Sequence, residues 1–277
     1  MRTNLEMLDK IVDLNKTQLL MVCGKNDIEK IFNINLLSTI ALEQQESTAI
    51  FYNIKNEILQ DTTSIHDKII SNYYHIDIQE ISNYRLAESC NVSEDYSWTQ
   101  NEYVYLDGGD LKLKLPNKEN QDKLKYGYKE MEKSNLYINA LETITLEDLK
   151  TKCRNLKQEN DVKLIVINDL EIIKTSNVIA VKELKQLSIE LDIVIIVSFP
   201  IKLNLEIPLE KQLRDTERIV KNSDIVIYIN KPNTKLEEII EIVIAKNNGG
   251  KTGIIEVAYI DKYCKICNLV KIWNKKE

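Results

Sequence analysis

The chain has 277 residues, of which 43% are hydrophobic, 29% charged and 6% aromatic. That composition excludes disorder and collagen-like repeats, and it can bury a sizeable core in one large domain or two ordinary ones. With 37 basic against 43 acidic side chains the net charge is −6, which argues against unaided, non-specific binding to a phosphate backbone. The charge is unevenly spread: Lys246 to Glu277 holds seven lysines and three acids, leaving that stretch at +4 and the rest at −10.

Seven glycines are about a third of the usual ~7% usage, so few positions remain for loops that cradle phosphate. The five cysteines, Cys23, Cys90, Cys153, Cys264 and Cys267, form no even framework, and Met1 to Lys10 has no apolar signal core. The longest apolar run, Ile193 to Val197, has five residues, far short of the ~18 needed to cross a bilayer. These features predict a cytoplasmic protein with reduced thiols and no membrane association.

In chain order, Gln18 to Cys23 reads as a buried strand leading through Gly24 to Asp27 into a helix marked by Phe32, Leu36 and Ile40. Ser47 to Asn53 is a second strand, Lys163 to Asn168 a third and Ile193 to Ser198 a fourth. The fourth has no polar alternation, as a parallel strand covered on both faces requires. Val181, Leu184, Leu187 and Leu191 mark a helix between the last two, completing a βαβ unit. A helix carrying Leu146, Leu149, Cys153 and Leu156 precedes it, with Thr145 at its N-cap and Asp148 three residues on. Asp224 to Ile229, Ile239 to Lys246 and Gly253 to Ala258 complete the strands. The alternation predicts an α/β fold, a doubly wound, mostly parallel sheet with antiparallel additions at its C-terminal edge.

Residues 84–115 break this rhythm and read as an insertion into a single domain spanning 1–277. Within it, Tyr103 to Leu106 and Leu111 to Leu115 flank Asp107-Gly108-Gly109-Asp110 as a hairpin. Leu111, Leu113 and Leu115 fall on one face, Lys112 and Lys114 on the other. Two tyrosines near two lysines could form a stacking surface for single-stranded nucleic acid, although such a face is more often an ordinary solvated hairpin.

The loop after Cys23 is where an open α/β sheet places its ligand. A working phosphate loop reads G-x-x-x-x-G-K-[ST], its hydroxyl binding Mg²⁺. Gly24-Lys25-Asn26-Asp27-Ile28-Glu29-Lys30-Ile31 has the same length and keeps the first glycine and the lysine. Glu29, however, puts a carboxylate where the second glycine belongs, and Ile31 removes the hydroxyl. An ordinary strand-to-helix turn accounts for the same residues.

Most of the chain, apart from residues 84–115, resembles the C-terminal RecA-like ATPase domain of the DnaB-type replicative helicases. Leu5 to Gln18 resembles the family's lead-in to its phosphate loop, and Asn135 to Asn139 (NLYIN) its "PLYIDD" strand. Thr143 to Asp169 tracks its helix and Walker B strand. Leu213-Arg214-Asp215 resembles "LRES", Ser223 to Ile229 "DADVVLFL", and Ala245 to Gly253 (AKNNGGKTG) "AKQRNGPTG". Order and spacing together carry the likeness.

Carried over by position, the resemblance implies a degenerate catalytic set. The Walker B aspartate falls at Asn168, with Asp169 one place later. The water-activating glutamate falls near Ile54, the nearest acid being Glu57. The sensing glutamine falls at Phe199, and the trans-acting arginine finger at Asn248, its preceding lysine kept as Lys246. An arginine finger is worth about 10³- to 10⁵-fold in phosphoryl transfer, so these losses together remove catalysis. Gly24, Lys30, Asp169 and Lys246 remain as nucleotide contacts if nucleotide binds at all; both lysines also read as solvated surface residues. Lys202, Lys211, Arg214 and Arg218, with Lys112 and Lys114, are the DNA-binding candidates. The first four lie in a segment resembling the family's channel-facing loop, though Glu206, Glu210, Asp215 and Glu217 accompany them. Cys264-Lys265-Ile266-Cys267 has half a zinc-site spacing with no second pair nearby, and His66 and His75 are remote in sequence, so no metal is expected.

The leading expectation is therefore a pseudoenzyme in DNA replication. It binds single-stranded DNA weakly, or a replication protein such as a replicative helicase, without the family's N-terminal domain, as a monomer or small oligomer rather than a hexamer, and without cofactor. Two alternatives stand beside it: an active ATP-dependent helicase or translocase using Mg²⁺-ATP with Asp169 and Glu57 as shifted catalytic groups, and a nucleotide-free scaffold.

Overall fold

The structure, a computed structural model, describes residues 1–24, 27–54, 64–89, 103–106, 111–200, 217–231 and 238–269. Its strands are β1 (Gln18–Gly24), β2 (Thr48–Asn53), β3 (Tyr103–Leu106), β4 (Leu111–Lys114), β5 (Leu136–Leu141), β6 (Leu164–Ile167), β7 (Val194–Pro200), β8 (Ile225–Asn230), β9 (Ile239–Asn247), β10 (Gly253–Ile260) and β11 (Lys265–Asn268). The helices are α1 (Glu6–Asp9), α2 (Ile28–Leu37), α3 (Ile65–Tyr74), α4 (Ile78–Ser89), α5 (Lys118–Lys133), α6 (Leu146–Asn160) and α7 (Asn177–Leu191). A π-helical turn, Ser38–Glu43, extends α2, and a short helix covers 217–222.

Nine strands form one sheet in the order β11-β10-β9-β8-β1-β7-β6-β2-β5. From β8 to β5 every pairing is parallel, whereas β9, β10 and β11 add on antiparallel. This is the sheet expected from the sequence, including its antiparallel C-terminal edge.

Both faces are covered, and strand periodicity divides the core in two. Leu19, Met21 and Cys23 of β1 pack with Phe51, Ile165 and Ile167 against α6 and α7, through Leu149, Cys153, Val181, Leu184 and Leu187. Leu20 and Val22 turn the other way, joining Ile50 and Ile196 under α2, α3 and α5, through Phe32, Leu36, Ile69 and Leu124. β3 and β4 pair as a separate antiparallel ribbon with Tyr103 opposite Lys114 and Tyr105 opposite Lys112. Leu113 and Leu115 are buried and Lys114 exposed, as the alternation requires.

Capping defines the helix starts. Thr145 accepts from the Asp148 amide at 3.2 Å, and its hydroxyl donates to the Asp148 carboxylate at 2.6 Å. Ser64 and Asp67 form a full capping box on α3. Asp161 and Asp192 end α6 and α7 in the left-handed region, at φ 46° and 52°, where glycine is the usual residue. Gly127 sits inside α5, where glycine costs about 1 kcal/mol relative to alanine. A Cβ there would come within 2.6 Å of the Tyr74 ring.

This packing predicts that Leu184→Ala, at a wholly buried site, costs about 2–5 kcal/mol in urea unfolding. Ile189→Ala, on the exposed side of the same helix, should stay within about 0.5 kcal/mol.

Candidate functional site

The parallel strands β1, β6 and β7 end side by side, so Gly24, Asn168 and Ser198 line one end of the sheet. From Gly24 the chain turns to Asp27, which takes the left-handed conformation (φ 60°) and starts α2 at Ile28. Lys25 and Asn26 lie outside the described residues.

Glu29, in the first turn of α2, is wholly buried, and neither carboxylate oxygen has a hydrogen-bond partner. A Cβ placed on Gly24 would stand 2.7 Å from Glu29 Oε2. Gly24 therefore admits the protein's own carboxylate to the space above the strand. Burial pushes the Glu29 carboxyl above the usual carboxylate range; its own nearby backbone amide and Lys30 oppose the rise, while Asp27 and Asp169 add to it. Lys30 Nζ lies 2.7 Å from Asp27 Oδ1, and Ile31 packs against the core.

Asn168 belongs to a buried amide and hydroxyl network. Asn33, from α2, donates through Nδ2 to Asn168 Oδ1 at 2.9 Å and to Ser198 Oγ at 2.6 Å. Ser198 Oγ in turn lies 3.5 Å from Asn168 Oδ1. Asp169 turns to its own chain, accepting from the Glu171 amide at 2.9 Å as the cap of the 3₁₀ turn Leu170–Ile172. Ile54 follows β2 directly and is half-buried; Glu57 lies outside the described residues. Phe199 is half-buried on β7, in register with Cys23.

Lys246 and Asn248 are at the opposite end of the sheet, because β9 runs antiparallel to β8 and finishes beside Ile225, where β8 begins. Lys246 Nζ donates to the carbonyls of Val220, Lys221 and Ser223 at 3.1, 3.2 and 2.6 Å, capping the 217–222 helix, and burial lowers its pKa. The Asn248 amide donates to the Asp224 carbonyl at 2.9 Å. Gly24, Glu29, Lys30, Asn168 and Asp169 are thus gathered at one end, while Lys246 and Asn248 are remote from them within the chain.

Arg218 is exposed on the 217–222 helix, and Lys114 pairs with Glu80 at 2.5 Å. Lys112 lies on β4; Lys202, Lys211 and Arg214 fall outside the described residues. Among the described residues no three His, Cys, Asp or Glu side chains gather as metal ligands, and no helix is long and apolar enough to cross a membrane. Sequence reasoning missed Asn33 and Ser198. The available signal was spacing: Glu29 and Asn33 fall on the stripe that Leu36 and Ile40 continue, which puts polar groups on a buried helix face.

A model of the DnaB-like helicase C terminal domain family matches residues 1–268. The replicative DNA helicase DnaB of Geobacillus stearothermophilus is 27% identical over 179 residues, 57% of this chain and 39% of that protein. The replicative DNA helicase DnaC of Bacillus subtilis (strain 168) is 28% identical over 171 residues, 54% of this chain and 38% of that protein. The chain spans about two fifths of the length of these relatives. Among solved structures, one described as an ATPase domain is similar with TM-score 0.72 and 17% identity, covering 97% of this chain and 91% of that one. A DnaB-like replicative helicase described with its interactions with primase gives TM-score 0.71 and 17% identity, covering 97% of this chain and 62% of that one. The fold is therefore that of the RecA-like helicase ATPase domains.

A buried carboxyl with a raised pKa holds more protons in the folded than in the unfolded state. Its contribution to stability is fully present below the unfolded pKa and is lost as pH rises through the folded value. Glu29→Gln should therefore raise stability by roughly 1–3 kcal/mol at pH 8. The gain should shrink toward pH 4, as read by denaturant unfolding across that range.

Proposed function

The chain belongs to the DnaB-like helicase C-terminal domain family, and from that premise we propose that it is a RecA-like domain that does not hydrolyse ATP and works by binding a replication protein. The observation that carries the reading is Glu29. Its carboxylate fills the turn where phosphate would enter and adds negative charge to a helix start otherwise suited to an anion. Lys30, the side chain that would neutralise phosphate, is engaged by Asp27. Asn168 is committed to Asn33 and Ser198, and Ile31 offers no oxygen to Mg²⁺. Metal ligation, water activation and charge neutralisation all fail, and groups that act as a unit are strongly non-additive.

A protein partner is favoured over DNA. The net charge is −6, Lys114 is already paired, and a solved relative of this fold is described with its interactions with primase. Single-stranded DNA binding is weak, rests on the basic C-terminal stretch or the β3–β4 ribbon, and disappears between about 50 and 200 mM salt. Absent nucleotide bridging and with Asn248 in the finger position, the chain stays a monomer or small oligomer. The active-helicase reading would require Asp169 to leave its cap on Glu171.

With Mg²⁺-ATP and single-stranded DNA, the purified protein should release no phosphate above a blank. Turnover that vanishes in Lys30→Ala would refute the proposal.

Glu29→Gly should raise Mg²⁺-ATP affinity, measured by calorimetry, on the order of tenfold, and by more than Asn168→Asp does. If neither variant binds measurably, the nucleotide-free scaffold is the correct reading.

A further inference from the structure

The end of the molecule opposite Glu29 holds a pocket of about 330 Å³, a volume in the range of small-ligand sites. It opens where the chain enters β2 and β5, beside Gln45 and Asn135. Tyr73 and Tyr74 have ring centroids 4.9 Å apart with planes at 85°; Tyr74 and Tyr126 stand 6.5 Å apart, also at 85°. Successive rings are therefore perpendicular, like adjoining walls. Tyr126 is 57% exposed and is the one aromatic among the exposed large apolar side chains of the described residues.

Three observations give the pocket a charge preference. α3 and α5 both finish on it, at Tyr74 and Lys133, and the last turn of the π-helical segment lines it through Ala41 and Leu42; helix C-termini carry partial negative charge that favours cations. Glu130 adds a carboxylate to the wall; burial raises the Tyr74 phenol pKa, with smaller contributions from Tyr73, Tyr126 and Glu130. Lys133 is the single cation in the lining, and its Nζ lies 3.2 Å from Glu130 Oε1 in an i,i+3 pair exposed at both ends. Such a pair is weak and can be displaced. Gly127 shows that the site is built: in a glycine-poor chain, a glycine inside α5 lets the Tyr74 ring lie against the helix.

We propose that this pocket receives the guanidinium of an arginine side chain presented by a partner protein, stacked on the tyrosine faces and paired with Glu130. Arginine suits it better than lysine, since a planar guanidinium stacks on aromatic rings and meets a carboxylate through two N–H groups. Lys133 acts as an internal competitor that holds the carboxylate until the partner arrives. The pocket requires nothing of the nucleotide-like end and stands independently of the function proposed above.

The test is titration of the protein with an acetylated Gly-Arg-Gly amide, followed by the tyrosine ring resonances in NMR, alongside the same peptide carrying neutral citrulline. Saturable binding of the arginine peptide is expected, at least about tenfold tighter than the citrulline peptide. Tyr126→Ala and Glu130→Gln should each weaken it by about tenfold, and Lys133→Ala should tighten it by a few-fold. Unchanged thermal melting in these surface variants keeps a folding defect from imitating the result. Equal binding of the two peptides, no saturable binding by the parent protein, or displacement of the peptide by adenosine monophosphate with loosened binding in Lys133→Ala would overturn the proposal, the last pointing to a nucleobase pocket instead.

Discussion

Everything else in the structure hangs on the burial of β1 between two parallel neighbours. Each of its seven residues is buried, β7 and β8 satisfy its two hydrogen-bonding edges, and its alternate side chains belong to different cores. A strand so enclosed cannot slip by one residue without exchanging its two sets of side chains between the layers. Register is thus fixed by both cores at once, and with it the point where β1 must end and the chain must turn. Asp224 reinforces that register from the other end. Its carboxylate accepts the Leu19 amide at 2.7 Å and meets Lys185 of α7, so the start of β1 is tied to the helix layer.

Given a fixed strand end, the chemistry of the turn follows from a single substitution of kind. Where the resembled loop has a glycine, Glu29 brings a side chain, and its carboxylate lies in the space above Gly24. There it loses its water without gaining a partner. A lone buried polar group of this sort costs stability and survives where its surroundings over-determine it. Asn33 extends the same stripe one helical turn further and is held by Asn168 and Ser198. The polar face of α2 is consequently joined to the sheet through the Asn33 side chain.

How much was legible in the sequence differs between fold and site for a physical reason. The central strands are apolar runs, and α6 and α7 carry apolar stripes, α6 with a recognisable cap at Thr145, so periodicity alone locates them. The hairpin at β3 and β4 was legible from the alternation of Leu113 and Leu115 with Lys114. The helices α3, α4 and α5 were not, since their apolar positions are interrupted by Asn, Tyr and Gln and their burial depends on partners distant in sequence: Asp67 at the start of α3 meets Arg85 of α4 and Tyr128 of α5. At the site, position in the motif was readable but distant partnership was not. The Asp27–Lys30 pair and the Asp169 cap lie within three residues and follow local spacing, but no spacing rule says that Lys246 will collect three carbonyls at the far end of the sheet.

Glycine scarcity links these details. Seven non-glycine residues among those described adopt positive φ, including Asp27, Asp161, Asp192 and His75 at helix boundaries. Each carries the roughly 1–2 kcal/mol that a side chain costs in that region, which asparagine and aspartate reduce by local hydrogen bonding. The chain therefore accepts strain at turns where conformation alone calls for glycine. It does keep glycine at Gly249, where φ is 81°, and also at Gly24 and Gly127, where a Cβ would meet the Glu29 carboxylate and the Tyr74 ring. The last two positions mark opposite ends of the parallel sheet, one receiving the Glu29 carboxylate and the other the Tyr74 ring. Each makes room that a Cβ would take, 2.7 Å from Glu29 Oε2 at Gly24 and 2.6 Å from the Tyr74 ring at Gly127.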